Sequence, residues 1–86
     1  MEIIEIQRLI EAGLPAAKVT VTGESGHFEA LVISEEFEGK SLLAQQKMVF
    51  ATVSEQITSG ELHAFTIKAY TPEKWAKARK FQVGSA

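Results

Sequence analysis

Two strand-like segments joined through a helical one constrain this chain most. Residues 28–34 are a nearly continuous apolar run, and residues 62–70 alternate with β-branched content, as strands do. Between them, residues 41–56 place Leu42, Met48 or Val49, and Val53 at helical spacing behind Ser41, a good N-cap. A strand, helix, strand connection within one sheet is right-handed and makes its two strands parallel. Both strands then begin at the same end of the sheet, and adjacent strands lie about 4.8 Å apart.

The flanking segments complete an α/β order of helix, strand, strand, helix, strand, helix around a three-stranded mixed sheet. Residues 2–12 set Ile3, Ile6, Leu9 and Ile10 along one helical stripe, and Gly13, Leu14 and Pro15 supply its stop. Val19 and Val21 alternate with Lys18, Thr20 and Thr22, giving a half-exposed first strand. Gly23-Glu24-Ser25-Gly26 is a hairpin turn. Ser59 and Gly60 end the middle helix, and Thr71-Pro72-Glu73 opens the last, with Thr71 as N-cap and Pro72 at the first helical position. One domain over residues 1–86 is expected, with residues 82–86 as a frayed tail.

Eighty-six residues, 45% of them hydrophobic, suffice for one core and no second. A net charge of −2 excludes a strong whole-molecule attraction to nucleic acid. The start carries no basic flank and no apolar run long enough for a signal peptide or membrane span, so a cytoplasmic protein without membrane attachment is expected. Charge is unevenly spread: residues 1–38 hold eight Glu against Arg8 and Lys18, whereas Lys68, Lys74, Lys77, Arg79 and Lys80 face only Glu73. The last element therefore reads either as a solvated helix or as a docking patch for an acidic partner.

His63, near the start of the third strand, and His27, just before the second, are the only histidines, and there is no cysteine. If these strands are adjacent, both imidazoles meet at one rim. Neutral imidazole ligates iron, copper, nickel or zinc, but a soft cluster held here must draw its thiolates from elsewhere. The alternative is a half-buried histidine with a satisfied hydrogen bond. With no cysteine, no aspartate and no Ser-His-Asp set, the chain does not read as an enzyme.

His27-Phe28, the run Ile33-Ser34-Glu35-Glu36-Phe37-Glu38-Gly39-Lys40, Met48-Val49-Phe50, His63-Ala64, Tyr70-Thr71-Pro72 and Trp75 together resemble the BolA family, in particular its YrbA/IbaG-like branch, over nearly the whole chain. The resemblance implies a KH-like α/β domain that pairs with a monothiol glutaredoxin and shares a [2Fe-2S] cluster with it. The glutaredoxin cysteine and glutathione would supply sulfur, His63 nitrogen, and His27 a further ligand. Regulation or iron-sulfur trafficking, with iron, redox or acid stress as its setting, is the implied role. Gly39 and Lys40 with Lys74, Lys77, Arg79 and Lys80 are the expected docking residues, and the chain alone is expected to be a monomer or weak homodimer.

The rival reading is a DNA-binding transcriptional regulator, since the resemblance includes members regarded as such. Gln45, Gln46 and Lys47 stand where many members carry an Arg-His-Arg set, which removes phosphate-binding charge, although the glutamines suit adenine edges. Two lookalikes are set aside. The GXXG at Gly23 joins strands rather than helices, and Gly39-Lys40-Ser41 has Ser34 in place of the first glycine of a phosphate-binding loop.

Overall fold

Alternation along the strands sorts their side chains onto two faces, and the core forms on one. The computed structural model describes residues 1–24 and 26–85. In chain order these are α1 (Ile3–Gly13), β1 (Lys18–Glu24), β2 (His27–Ile33), a 3-10 turn (Glu35–Phe37), α2 (Leu42–Thr52), α3 (Ser54–Ser59), β3 (Phe65–Tyr70) and α4 (Pro72–Ser85). The sheet order is β1-β2-β3, with β1 and β2 antiparallel and β2 and β3 parallel. The mixed sheet and the adjacency of the last two strands are thus as the crossover requires.

Register places Val19 beside Val32, Val21 beside Ala30, Ala30 beside Ile67 and Val32 beside Ala69, all on the buried face. Ile6 and Ile10 of α1, Phe37 of the 3-10 turn, Val49 of α2, and Val53 and Leu62 pack into the same core. Full burial stabilises each such side chain by about 1.5–3 kcal/mol. The opposite face, carrying Thr20, Thr22, Glu29, Leu31 and Lys68, is partly covered by Trp75 of α4. Tyr70 meets Trp75 with ring centroids 5.3 Å apart. Gly13 lets α1 approach α2 closely: a Cβ there would lie 2.5 Å from Thr52 Cγ2.

Four details differ from the sequence pattern. The stripe on α1 buries Ile6 and Ile10 but leaves Ile3 exposed. The helix predicted over residues 41–56 is divided at Val53, whose backbone (φ −124°, ψ 19°) leaves the helical region. Thr52 Oγ1 donates to Val49 O at 2.6 Å, the kind of local bond that competes with a helical ladder. Leu42, predicted inward, is 59% exposed, and the buried stripe of α2 is Gln45 and Val49. The last strand begins at Phe65, because Leu62 turns into the core with its N–H on Gln56 O, and Ala64 adopts φ 51°.

Both predicted caps are present. Ser41 Oγ accepts from the Ala44 N–H at 3.1 Å, and Thr71 Oγ1 from that of Lys74 at 3.2 Å. Helix α4 continues to Ser85, so the tail predicted from residue 82 overlaps its last turn, and Ala86 lies outside the described residues.

Candidate functional site

Parallel pairing of β2 and β3 brings the two histidines to the same end of the sheet. Phe28 pairs with Phe65, and the Phe28 N–H donates to Ala64 O at 2.9 Å, joining the two strand entries. His27 directly precedes Phe28, and His63 directly precedes Ala64. Both side chains are exposed. His63 stands in the link before β3 rather than within the strand. The left-handed conformation of Ala64, rare for a residue with a Cβ, sets the direction in which the chain leaves His63 and enters the sheet. Among the described residues no three His, Cys, Asp or Glu side chains gather as a metal site. Two solvent-facing imidazoles, with no thiol in the chain, suit a metal centre whose sulfur ligands come from another molecule.

Four of the six predicted docking residues assemble at the other end of the sheet. Gly39 and Lys40, following β2, meet Lys74 and Lys77 of α4 around a cleft of about 240 Å³ that also takes in Phe37, Glu38, Gln45, Thr71 and Glu73. Gly39 adopts φ +74°, a turn conformation that glycine adopts without a Cβ penalty, and the Lys40 N–H returns to Phe37 O at 3.1 Å. Lys77 Nζ lies 3.6 Å from Glu73 Oε1, with both side chains largely in solvent. Arg79 is separated from this cleft and lines another of about 460 Å³ with Lys18, Ile33, Glu35 and Trp75, while Lys80 is exposed. Strands of six and seven residues at about 3.3 Å per residue hold the histidine rim and the basic cleft roughly 20 Å apart.

The glutamines of α2 do not form one surface. Gln45 is only 4% exposed, and its Nε2 donates to Lys40 O at 2.8 Å and Phe37 O at 3.3 Å. It therefore has no access to base edges, and its work is to anchor the Gly39-Lys40 turn from beneath. Spacing carried this signal, since Gln45, Val49 and Val53 stand four residues apart. Gln46 is half-buried beside β3 and Lys47 is exposed, so of the proposed nucleic-acid set only these two remain at the surface.

On the other face, Lys68 Nζ reaches Glu29 Oε1 at 2.9 Å. The hydrogen bond to Glu29 and then its charge hold the Lys68 ammonium above the usual lysine value of 10.5.

Comparison with known proteins agrees with this architecture. The family model described as BolA-like protein matches residues 4–74. The acid stress protein IbaG of Escherichia coli K12 is 39% identical over 80 residues, covering 93% of this chain and 95% of that one. The structure of a bolA protein homologue from Coxiella burnetii superposes with a TM-score of 0.78 at 31% identity, over 88% of this chain and 97% of that one. The BolA domain of SufE1 from Arabidopsis thaliana superposes with a TM-score of 0.71 at 26% identity, over 84% and 93%. With its mixed sheet, its capped helices and its sequence matched from α1 into α4, the chain belongs to the BolA-like family.

Proposed function

We propose that this protein is the histidine-donating partner of a monothiol glutaredoxin and completes a [2Fe-2S] cluster held between the two. The observation that carries this reading is the pair of exposed imidazoles, His63 and His27, at one rim of adjacent parallel strands. The chain has no cysteine, so the glutaredoxin thiolate and glutathione would supply the sulfur ligands. The bound cluster would supply electron transfer or iron and sulfide for delivery, and nitrogen ligands raise its potential above that of an all-thiolate centre. What this chain contributes is an orientation for two neutral ring nitrogens and the surface around them. Its role is regulation or iron-sulfur trafficking rather than turnover.

Protons compete with metal for imidazole nitrogen, so the proposed complex weakens as pH falls. The Escherichia coli relative is described as an acid stress protein, which supports a pH-dependent role for this chain as well. The basic cleft sits too far from the rim to touch a cluster there, and we assign it to electrostatic attraction of an acidic partner face.

The test is visible absorption and circular dichroism of an anaerobic mixture with a monothiol glutaredoxin, glutathione, iron and sulfide. A spectrum distinct from that of the glutaredoxin homodimer is the expected result. His63→Ala abolishes it and His27→Ala weakens it, with far-ultraviolet circular dichroism unchanged. A His63→Ala protein that keeps the wild-type spectrum and affinity contradicts the assignment.

A further inference from the structure

Side chains alternate along a strand, and in β3 they sort cleanly: Ile67 and Ala69 are buried, while Thr66 and Lys68 are exposed. Carried back past the start of the strand, the same alternation puts residue 63 on the core side and residue 62 on the outer side. The structure has the reverse, with Leu62 fully buried and His63 exposed. Something between them and the strand exchanges the two faces of the chain.

The exchange occurs at Ala64. Among the described residues it alone, glycine apart, has a positive φ, 51°. That conformation crowds the Cβ of an L-residue against the following carbonyl oxygen, so it persists only where the surroundings dictate it. Here they do so from both sides. Before Ala64, Leu62 is held in the core with its N–H on Gln56 O at 2.9 Å. After it, Phe65 enters the sheet beside Phe28 and meets Phe50 edge to face, with ring centroids 6.1 Å apart. The Ala64 carbonyl accepts from the Phe28 N–H at 2.9 Å, which ties this link to the residue that follows His27. Ala64 is itself exposed and takes no part in the core, so its position contributes a backbone conformation rather than side-chain packing.

We propose that Ala64 is a positioning residue for His63: its left-handed backbone sends Leu62 inward as an anchor and turns the imidazole outward, where it can donate to a cluster held by a second molecule. This inference rests on the cluster reading above and deepens it, because it places a requirement on a residue with no ligating atom of its own. The requirement is conformational. Glycine and asparagine adopt a left-handed backbone readily, whereas a β-branched or bulky residue does not. Such a residue at position 64 drives the link toward an extended conformation, which swings His63 toward the buried face and withdraws the Ala64 carbonyl from the Phe28 N–H.

The test compares Ala64→Asn with Ala64→Thr, two side chains of similar size at an exposed position that differ in their tolerance of the left-handed backbone. In the free chain, hydrogen exchange at the Phe28 amide quickens about tenfold in Ala64→Thr and keeps the wild-type rate in Ala64→Asn, with far-ultraviolet circular dichroism unaltered in both. In the anaerobic mixture with a monothiol glutaredoxin, glutathione, iron and sulfide, Ala64→Thr weakens the mixed cluster about tenfold or more and reduces the coupling of ¹⁵N-labelled histidine to it. Ala64→Asn keeps both. Where the Thr protein does not fold, Ala64→Leu, bulky without the β-branch, is read in the same way. Wild-type affinity and coupling in these β-branched or bulky variants would overturn the proposal, and so would an equal loss in Ala64→Asn, which would assign the effect to the side chain. The two readings fail separately: if His63→Ala abolishes the cluster spectrum and Ala64→Thr leaves it intact, only the positioning role falls, whereas a silent His63→Ala removes the ligand and its positioning residue together.

Discussion

Gln45 shows at the scale of one residue how a polar side chain can be structural where its type suggests recognition. Its amide nitrogen satisfies two backbone carbonyls, at Phe37 and Lys40, that no other described hydrogen bond to a side chain serves. Gln45→Ala takes the side-chain donor from Lys40 O under the turn, while Phe37 O keeps the Lys40 N–H, and costs about 1–3 kcal/mol in urea denaturation. Gly13→Ala is a steric counterpart, since its Cβ would overlap Thr52 Cγ2 and force α1 from α2. A loss of about 1–3 kcal/mol by the same measurement is expected. Lys68 sets a pH dependence instead. Its ammonium is held above 10.5 by Glu29, so the stabilisation is complete below that pH and disappears as pH rises through the folded value. Both side chains are about half exposed, which keeps the effect small. In thermal melts the Lys68→Met protein therefore lacks the part of the alkaline decline in stability that this pair causes.

Element boundaries separate what local chemistry specifies from what packing decides. Caps are local, and Ser41 and Thr71 were legible as the residues whose oxygens close α2 and α4. Ser41→Ala and Thr71→Ala should each cost about 0.5–2 kcal/mol, read as a lowered urea midpoint at unchanged slope. The parallel pairing of β2 with β3 was also legible, because handedness leaves a strand-helix-strand unit little choice. The break at Val53 and the outward turn of Leu42 were not. Both depend on how α2 rolls over the sheet to bury Gln45 and Val49, a tertiary outcome that propensity does not encode. The same limit explains the site. The histidine rim followed from topology alone, whereas the division of Lys74 and Lys77 from Arg79 depends on which side of α4 meets the Gly39-Lys40 turn.

Across the whole molecule the two candidate surfaces lie at opposite ends of one sheet, and they should respond to different variables. Charge reversal at Lys77 and Lys80 acts at a distance of roughly 20 Å, beyond the ~8 Å screening length of physiological salt. Stopped-flow association with an acidic glutaredoxin should slow at low salt and return to the wild-type rate near 0.15 M, roughly physiological ionic strength, with the cluster spectrum unaltered. Acidification acts at the rim instead, so loss of the mixed cluster as pH falls should be shallower in the His27→Ala protein, which keeps a weakened cluster, than in the wild type. The most direct measurement of the central claim is pulsed electron paramagnetic resonance of the reduced mixed complex, prepared with this chain carrying ¹⁵N-labelled histidine and an unlabelled glutaredoxin. Strong ¹⁵N coupling to the cluster, lost in the His63→Ala protein, is the result the account predicts. A cluster formed in the mixture with no ¹⁵N coupling would contradict it.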